Sequence, residues 1–346
     1  MAPIKLGFFT RLLERASAAD RYQYALEQAQ LAEQLGYNTV WVAQHHFHAE
    51  EGGLPSPFVF LSHLAARTSR IHLGTGVITL PLENTIRVAE DAVVLDLLSG
   101  GRFEFGIGSG ATDASLAAFG VVPSDRATVY EAGVHQLVEA LRGHEIAHPE
   151  NRLYPSGESL LNRIWQSTFS AYGGTRSGLP GHGLLVSRSQ PRPADQPDLP
   201  LSALQQPILD AYFAALPDGV APRVLASRTL VVTDTEAQAE QYLDDAYQRY
   251  LTRPGAGGGL IVEADDARTW ARRTDTHIGT PEQVIASLAD DPIIPQSTEV
   301  AFQVHSIDPG HEATLRSLEL IAQKVAPALG WETSASSVAA VPAGVA

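Results

Sequence analysis

Short apolar runs alternate along this chain with stretches whose apolar side chains recur every third or fourth position, and each such pair reads as a strand followed by a helix. Ile4 to Phe9 opens the series. Behind it Tyr22, Ala25, Leu26, Ala29, Ala32 and Leu35 share one helical face, with Asp20 as the expected cap and Gly36 as the stop. Asn38 to Ala43 mixes β-branched and aromatic residues, as a buried strand does. A helix over Phe58 to Ala66 then leads to the apolar run Ile71 to Leu80, broken by Gly74 and Gly76. The same rhythm predicts helices over Thr85 to Leu98 and residues 124 to 142 on either side of the strand Arg102 to Ile107. Further on, strands fall at Arg163 to Phe169, Leu184 to Val186, Val224 to Val232 and Glu299 to Val304. Helices follow from Ser170, over Leu201 to Leu216, over Glu236 to Leu251, from Thr280-Pro281-Glu282 and over Glu312 to Leu329.

Strands near residues 4, 38, 71, 103, 163, 184, 224 and 299, nearly all followed by a helix, predict a (β/α)8 TIM barrel. A doubly wound open sheet is the rival, but it wants a glycine fingerprint after the first strand, and Phe9-Thr10-Arg11-Leu12 has none. Residues 1–333 then form one domain, with insertions near 143–161 and 252–275 and a disordered tail over 334–346. The second insertion, rich in glycine, is expected to be a lid.

Composition narrows the function. Of 346 residues 44% are hydrophobic and 18% charged, which is ample for a core. Lys plus Arg number 24 against 39 acidic residues, a net charge of −15 with no basic run, so nucleic-acid binding is not expected. There is no cysteine, which rules out thiolate chemistry, and no apolar stretch long enough for a signal or a membrane span, so a cytoplasmic protein is expected.

Candidate chemistry gathers at the C-terminal tips of the predicted strands, where parallel α/β folds place their sites. His45, His46 and His48 follow the second strand. As neighbours on a strand end, His45 and His46 should face opposite sides, with His45 in the barrel mouth and His46 in the barrel-helix layer, and no carboxylate stands at metal-ligand spacing. Gly74, Gly76, Gly108 and Gly110 suggest close approach of backbone to a ligand. Arg126 opens a helix, where the dipole disfavours a cation unless an anion is bound, and Ser167 and Ser170 precede another helix whose N–H groups suit a phosphate.

Trp41-Val42-Ala43-Gln44-His45-His46-Phe47, then Leu73 to Pro81, then Leu95 to Gly108 resemble, in order and spacing, the bacterial luciferase-like flavin-dependent monooxygenases. The resemblance runs to about Leu141 and resumes more weakly at Trp165 to Arg188, Gly279 to Val284 and the last strand. It implies FMN at the barrel mouth, reduced by a separate flavin reductase, and oxidation of a small organic substrate by dioxygen through a C4a-peroxyflavin. Carried over by position, it makes His45 the catalytic histidine, able to give or take a proton at its ordinary pKa. Gly76-Val77 matches a cis peptide behind the ring, Ser109, Gly110, Arg126, Gln166, Ser167 and Ser170 surround the phosphate, and Gln44, Ser187 and Arg188 border the flavin. Gln44 stands where Glu is frequent and Ser109 where some members have Arg, which leaves Arg126, helped by Arg188, to carry the phosphate charge. A deazaflavin-dependent oxidoreductase on the same barrel and a non-catalytic flavin-binding protein are the alternatives. A homodimer through the second and third helices is also implied, with Phe58, Phe60, Leu61, Leu64, Val93 and Val94 serving either that face or the core.

Overall fold

The computed structural model describes residues 3–110, 112–255 and 260–333, so the expected tail lies outside it. Eight parallel strands close a barrel: β1 (Lys5–Thr10), β2 (Thr39–Val42), β3 (His72–Thr75), β4 (Phe103–Gly108), β5 (Ile164–Ser167), β6 (Gly183–Val186), β7 (Val224–Val232) and β8 (Glu299–Gln303). Closure comes from β8, where Glu299 stands opposite both Lys5 of β1 and Leu225 of β7. No barrel edge is left open. Outward residues such as Leu6, Phe8, Val40, Val42 and Leu73 pack under the surrounding helices and form the main core.

The helices Ala18–Gln34, Pro57–Ala65, Thr85–Ser99, Arg126–Leu141, Ala171–Gly178, Leu201–Ala215, Glu236–Thr252, Pro281–Ala289 and His311–Leu320 fall where the periodicity places them. Details differ. Ser17, not Asp20, caps the first helix, because its hydroxyl accepts from the Asp20 N–H at 3.1 Å. The last helix relaxes into a wider turn over Ile321–Val325 before Pro327. The insertion over 252–275 is less irregular than expected: Ala267–Arg273 is helical, with Trp270 packed on Tyr247 and Tyr250. Thr276–Gly279 then adds a strand beside the outer half of β7, too short to leave a sequence signal. Ile78–Thr79, beyond a break in the run after β3, pairs with the end of β4. Among the described residues no helix is long and apolar enough to cross a membrane.

Of the residues expected to serve core or dimer face, Phe60, Leu61, Leu64 and Val93 are buried in the core and Phe58 packs on Phe103 and Phe105. Val94 is exposed, together with Val59, Leu97 and Leu98.

The lower interior of the barrel is filled by two indoles. Trp41 and Trp165 meet edge to face with centroids 5.7 Å apart, flanked by Leu185, Leu225 and Ala301. Each indole N–H is donated to a carboxylate, Trp41 to Glu299 at 2.8 Å and Trp165 to Glu104 at 2.7 Å. Thr39 also donates to Glu299, yet full burial outweighs these bonds and the weaker pull of Lys5 and pushes this carboxyl up to about 7. Room for the indoles comes from glycine: a Cβ on Gly74 would lie 2.3 Å from Trp41, and one on Gly183 2.2 Å from Trp165. Gly74 therefore serves the core and not a ligand. Replacing Gly74 by Ala forces Trp41 off its position, and calorimetry should read a loss of about 1 to 3 kcal/mol; an unchanged melting temperature would mean that the indole layer does not hold the barrel.

Candidate functional site

Above the indoles the barrel opens. A cavity of about 570 Å³ runs from the mouth toward the helix Arg126–Leu141. It is lined by nine of the twelve residues expected from the sequence: Gln44, His45, Gly76, Val77, Ser109, Gly110, Arg126, Ser167 and Ser170. The peptide Gly76-Val77 is cis. Gly76 lies against the Phe9 ring, where a Cβ would come within 2.4 Å, and Gly108 leaves the same kind of room for Val77 and Ser167. Here glycine admits neighbouring side chains, which set one wall of the cavity.

Gln44 lines the cavity and also fixes its shape. Its Oε1 accepts from the Thr79 N–H at 2.7 Å and its Nε2 donates to Glu83 at 2.6 Å, tying the exit of β2 to the chain beyond the cis peptide. His46 does not enter the barrel-helix layer. The strand ends at Val42, so strand alternation no longer applies, and His46 lines the same cavity as His45, its ring edge-on to Phe119 at 4.8 Å.

Beside the helix Arg126–Leu141 the cavity is lined by two arginines. Arg126 occupies the first position of its helix and pairs with no side chain among the described residues. Arg176, unremarked in the sequence, lines the same end: it lies 4.6 Å from the Tyr130 ring centroid, donates to Gln166 at 3.1 Å and stands 3.7 Å from Glu131. Ser170 caps the helix Ala171–Gly178 through the Gly173 N–H, and Ser109, Gly110, Ser167 and Thr168 complete the rim. Serine hydroxyls, a helix N-terminus and two arginines make a seat for a dianion.

Three expected contacts are placed elsewhere. Gln166 is fully buried and bonded to Tyr130, Arg176 and His182, so it braces Arg176 from behind. The Ser187 carbonyl accepts from Gln205. Arg188 is buried on the other side of the mouth, bonded to Thr229 and Ser306, and is not beside Arg126. Arg176, and not Arg188, shares the cavity lining with Arg126.

That other side of the mouth is densely polar. An Arg11 N–H donates to His45 Nε2 at 3.1 Å and to the Glu51 carbonyl. Arginine only donates, so Nε2 is an acceptor and the His45 proton sits on Nδ1. Burial first, and then the nearby Arg11 charge, pull the His45 pKa from 6.5 down to about 2. The imidazole is neutral throughout the physiological range, which corrects the expectation that it could ionise near neutrality. Behind Arg11, His305 Nδ1 is 2.8 Å from Asp308 Oδ2. Arg11, His305 and Asp308 carried no motif, but Arg11 directly follows β1 and His305 lies two residues past β8, where the strand-tip rule points. Among its described residues, the segment 252–275 borders this polar side and lines none of the large cavity.

A family model described as luciferase-like monooxygenase matches residues 5–166. The chain is 32% identical over 325 residues to 4-hydroxyprotoasukamycin monooxygenase of Streptomyces nodosus subsp. asukaensis, covering 87% of this chain and 85% of that one. Its fold is shared with the oxygenating constituent of 3,6-diketocamphane monooxygenase of Pseudomonas putida, solved with FMN (TM-score 0.73, 17% identity, covering 94% of this chain and 98% of that one). It is shared as well with the coenzyme F420 dependent tetrahydromethanopterin reductase of Methanopyrus kandleri (TM-score 0.67, 18% identity, 94% and 99%). The barrel, its mouth and the relative that spans most of the chain agree: this protein is an oxidoreductase of the luciferase-like monooxygenase family.

Proposed function

We propose that the protein is an FMN-dependent monooxygenase that takes reduced FMN from a separate reductase and, with dioxygen, oxidises a small organic molecule in the cytoplasm. One observation carries this reading: a single cavity joins the wall formed by His45 and Gly76-Val77 to a dianion seat formed by Arg126 and Arg176. A tricyclic ring at one end and a terminal phosphate at the other suit those two ends. When bound, reduced FMN supplies the electrons and activates dioxygen. The rest falls to the chain. Arg126 and Arg176 hold the phosphate, the cis peptide wall sets the plane of the ring, and Gln44 keeps that wall in place through Thr79. His45, neutral and protonated on Nδ1, offers an N–H to the reacting groups while Arg11 fixes its ring from behind. Two copies associate in this reading through the exposed Val59, Val94, Leu97 and Leu98.

The longer, multiply anionic tail of F420 needs more cations than this end provides, since Glu131 offsets part of Arg176. Photoreduced FMN mixed with the protein and then with oxygenated buffer should reoxidise more slowly than free FMN and release less peroxide. Equal rates with and without protein would end the proposal, and tighter binding of F420 than of FMN would replace it with a hydride-transfer enzyme.

Arg126→Ala and Arg176→Ala should each weaken FMN binding by roughly 10- to 100-fold in a fluorescence titration, the equivalent of about 1.5 to 3 kcal/mol for a hydrogen bond to a charged group. His45→Ala should keep that affinity and lose turnover. In nitrogen NMR the His45 ring should stay in its Nδ1–H form with no titration from about pH 5 to 8. Its folded pKa lies below the unfolded 6.5, so the unfolded chain binds the proton first and acidification through about 6.5 lowers stability. A midpoint near 6.5 in the folded protein would contradict the Arg11 contact.

A further inference from the structure

A second pocket, of about 310 Å³, opens beyond the polar side of the mouth. Its walls are apolar and aromatic, with Tyr250, Leu260 and Trp270, and its rim carries Arg15, Arg249 and Arg253. Two buried side chains lining it keep a ring nitrogen without a partner among the described residues: Trp270 Nε1 and His305 Nε2, on residues only 2% and 6% exposed. Buried ring nitrogens are ordinarily satisfied, so an unmet pair at one pocket points to a ligand.

His305 has the arrangement of a base. Asp308 is an acceptor while ionised, and Asp308 Oδ2 lies 2.8 Å from His305 Nδ1, so the proton is on Nδ1 and the free Nε2 carries a lone pair. Burial above all lowers the His305 pKa to about 4 and keeps the ring neutral, and an anion formed beside Nε2 raises that value again as the proton arrives. Against the effect of burial, His305 and Arg11 hold Asp308 below the usual carboxylate range, so its charge is present to balance a proton gained on Nε2. Arg11 and Arg188 act on the same ring from beside it, and both remain cations at neutral pH, with pKa values of about 9 and about 10. Of the carboxylates lining the pocket, Asp308 is offset by these cations and Glu50 by Arg253, which leaves Arg15 and Arg249 to meet an anion formed here.

We propose that this pocket takes the organic substrate, that the substrate is a phenol or enol with an apolar body, and that His305, oriented by Asp308, removes its hydroxyl proton. The O–H bond breaks, its electron pair stays on oxygen, and the proton forms a bond to Nε2; no oxidant takes part. A carboxylic acid arrives already ionised and needs no base, and an aliphatic alcohol is too weak an acid for an imidazole. The resulting phenolate or enolate is electron-rich at carbon, the state that accepts an oxygen atom. The assignment of the pocket to an oxygenation substrate rests on the function proposed above, but the proton transfer does not.

The test separates the two. 4-Nitrophenol changes absorbance on ionisation, so it is titrated against the full-length protein without flavin and again with saturating FMN, and 4-nitroanisole serves as a probe with no proton to lose. Bound nitrophenol should ionise at least tenfold more readily than the free compound. His305→Gln should abolish that shift while keeping FMN affinity, and Asp308→Asn should reduce it. FMN should leave the probe in place. Absence of binding, ionisation unchanged in H305Q, or displacement of the probe by FMN would each overturn the proposal. Should FMN fail to bind at all while the nitrophenol shift persists, the cofactor assignment falls and the base remains.

Discussion

The structure depends on a packing constraint at the floor of the barrel. Two indoles occupy space that eight strands leave only where neighbouring positions lack a side chain, at Gly74 and Gly183. Buried tryptophans also need acceptors for their N–H groups, and Glu299 and Glu104 meet that need from the layer below. Satisfying the Trp41 indole puts a carboxylate where water cannot reach, which is why Glu299 holds its proton more tightly than a surface glutamate. Sheet closure, core packing and an unusual titration thus share one cause.

Above the floor the side chains divide the mouth into two chemically different halves. On the side of β3 to β5, glycines and a cis peptide keep the chain thin, and the cavity extends to Arg126 at the start of one helix and Arg176 in the last turn of another. On the side of β7, β8 and β1, the tips carry Arg11, Arg188 and His305, which fill the space with hydrogen-bonded charge. His45 stands at the boundary, one face toward the cavity and one ring nitrogen held by Arg11. Its neutrality follows from that place, since burial disfavours the charged ring and the neighbouring guanidinium disfavours it further.

Much of this was legible before any coordinates. Alternating strand and helix periodicity located all eight barrel strands, because a buried parallel strand needs a continuous apolar run and its covering helix needs a stripe. Nine of the residues lining the large cavity were legible too, from motifs at strand tips and helix starts and from the family resemblance. The failures share a pattern. Arg176 lies inside a helix and reaches the cavity only because Tyr130 and Gln166 brace it, and Arg188 looked like its substitute until the fold put it across the mouth. His46 was misplaced by assuming that β2 continued past Val42. His305 and Asp308 meet Arg11 only across the closure of the barrel, a distance of nearly the whole chain that no local pattern records.

The filled floor also limits what the enzyme can be persuaded to accept. Because the tryptophans cap the depth of the barrel, a bulkier guest cannot thread downward along the axis and must spread sideways under the connecting segments. Efforts to broaden its range of guests should therefore begin at the rim, with the lower strands left as they are.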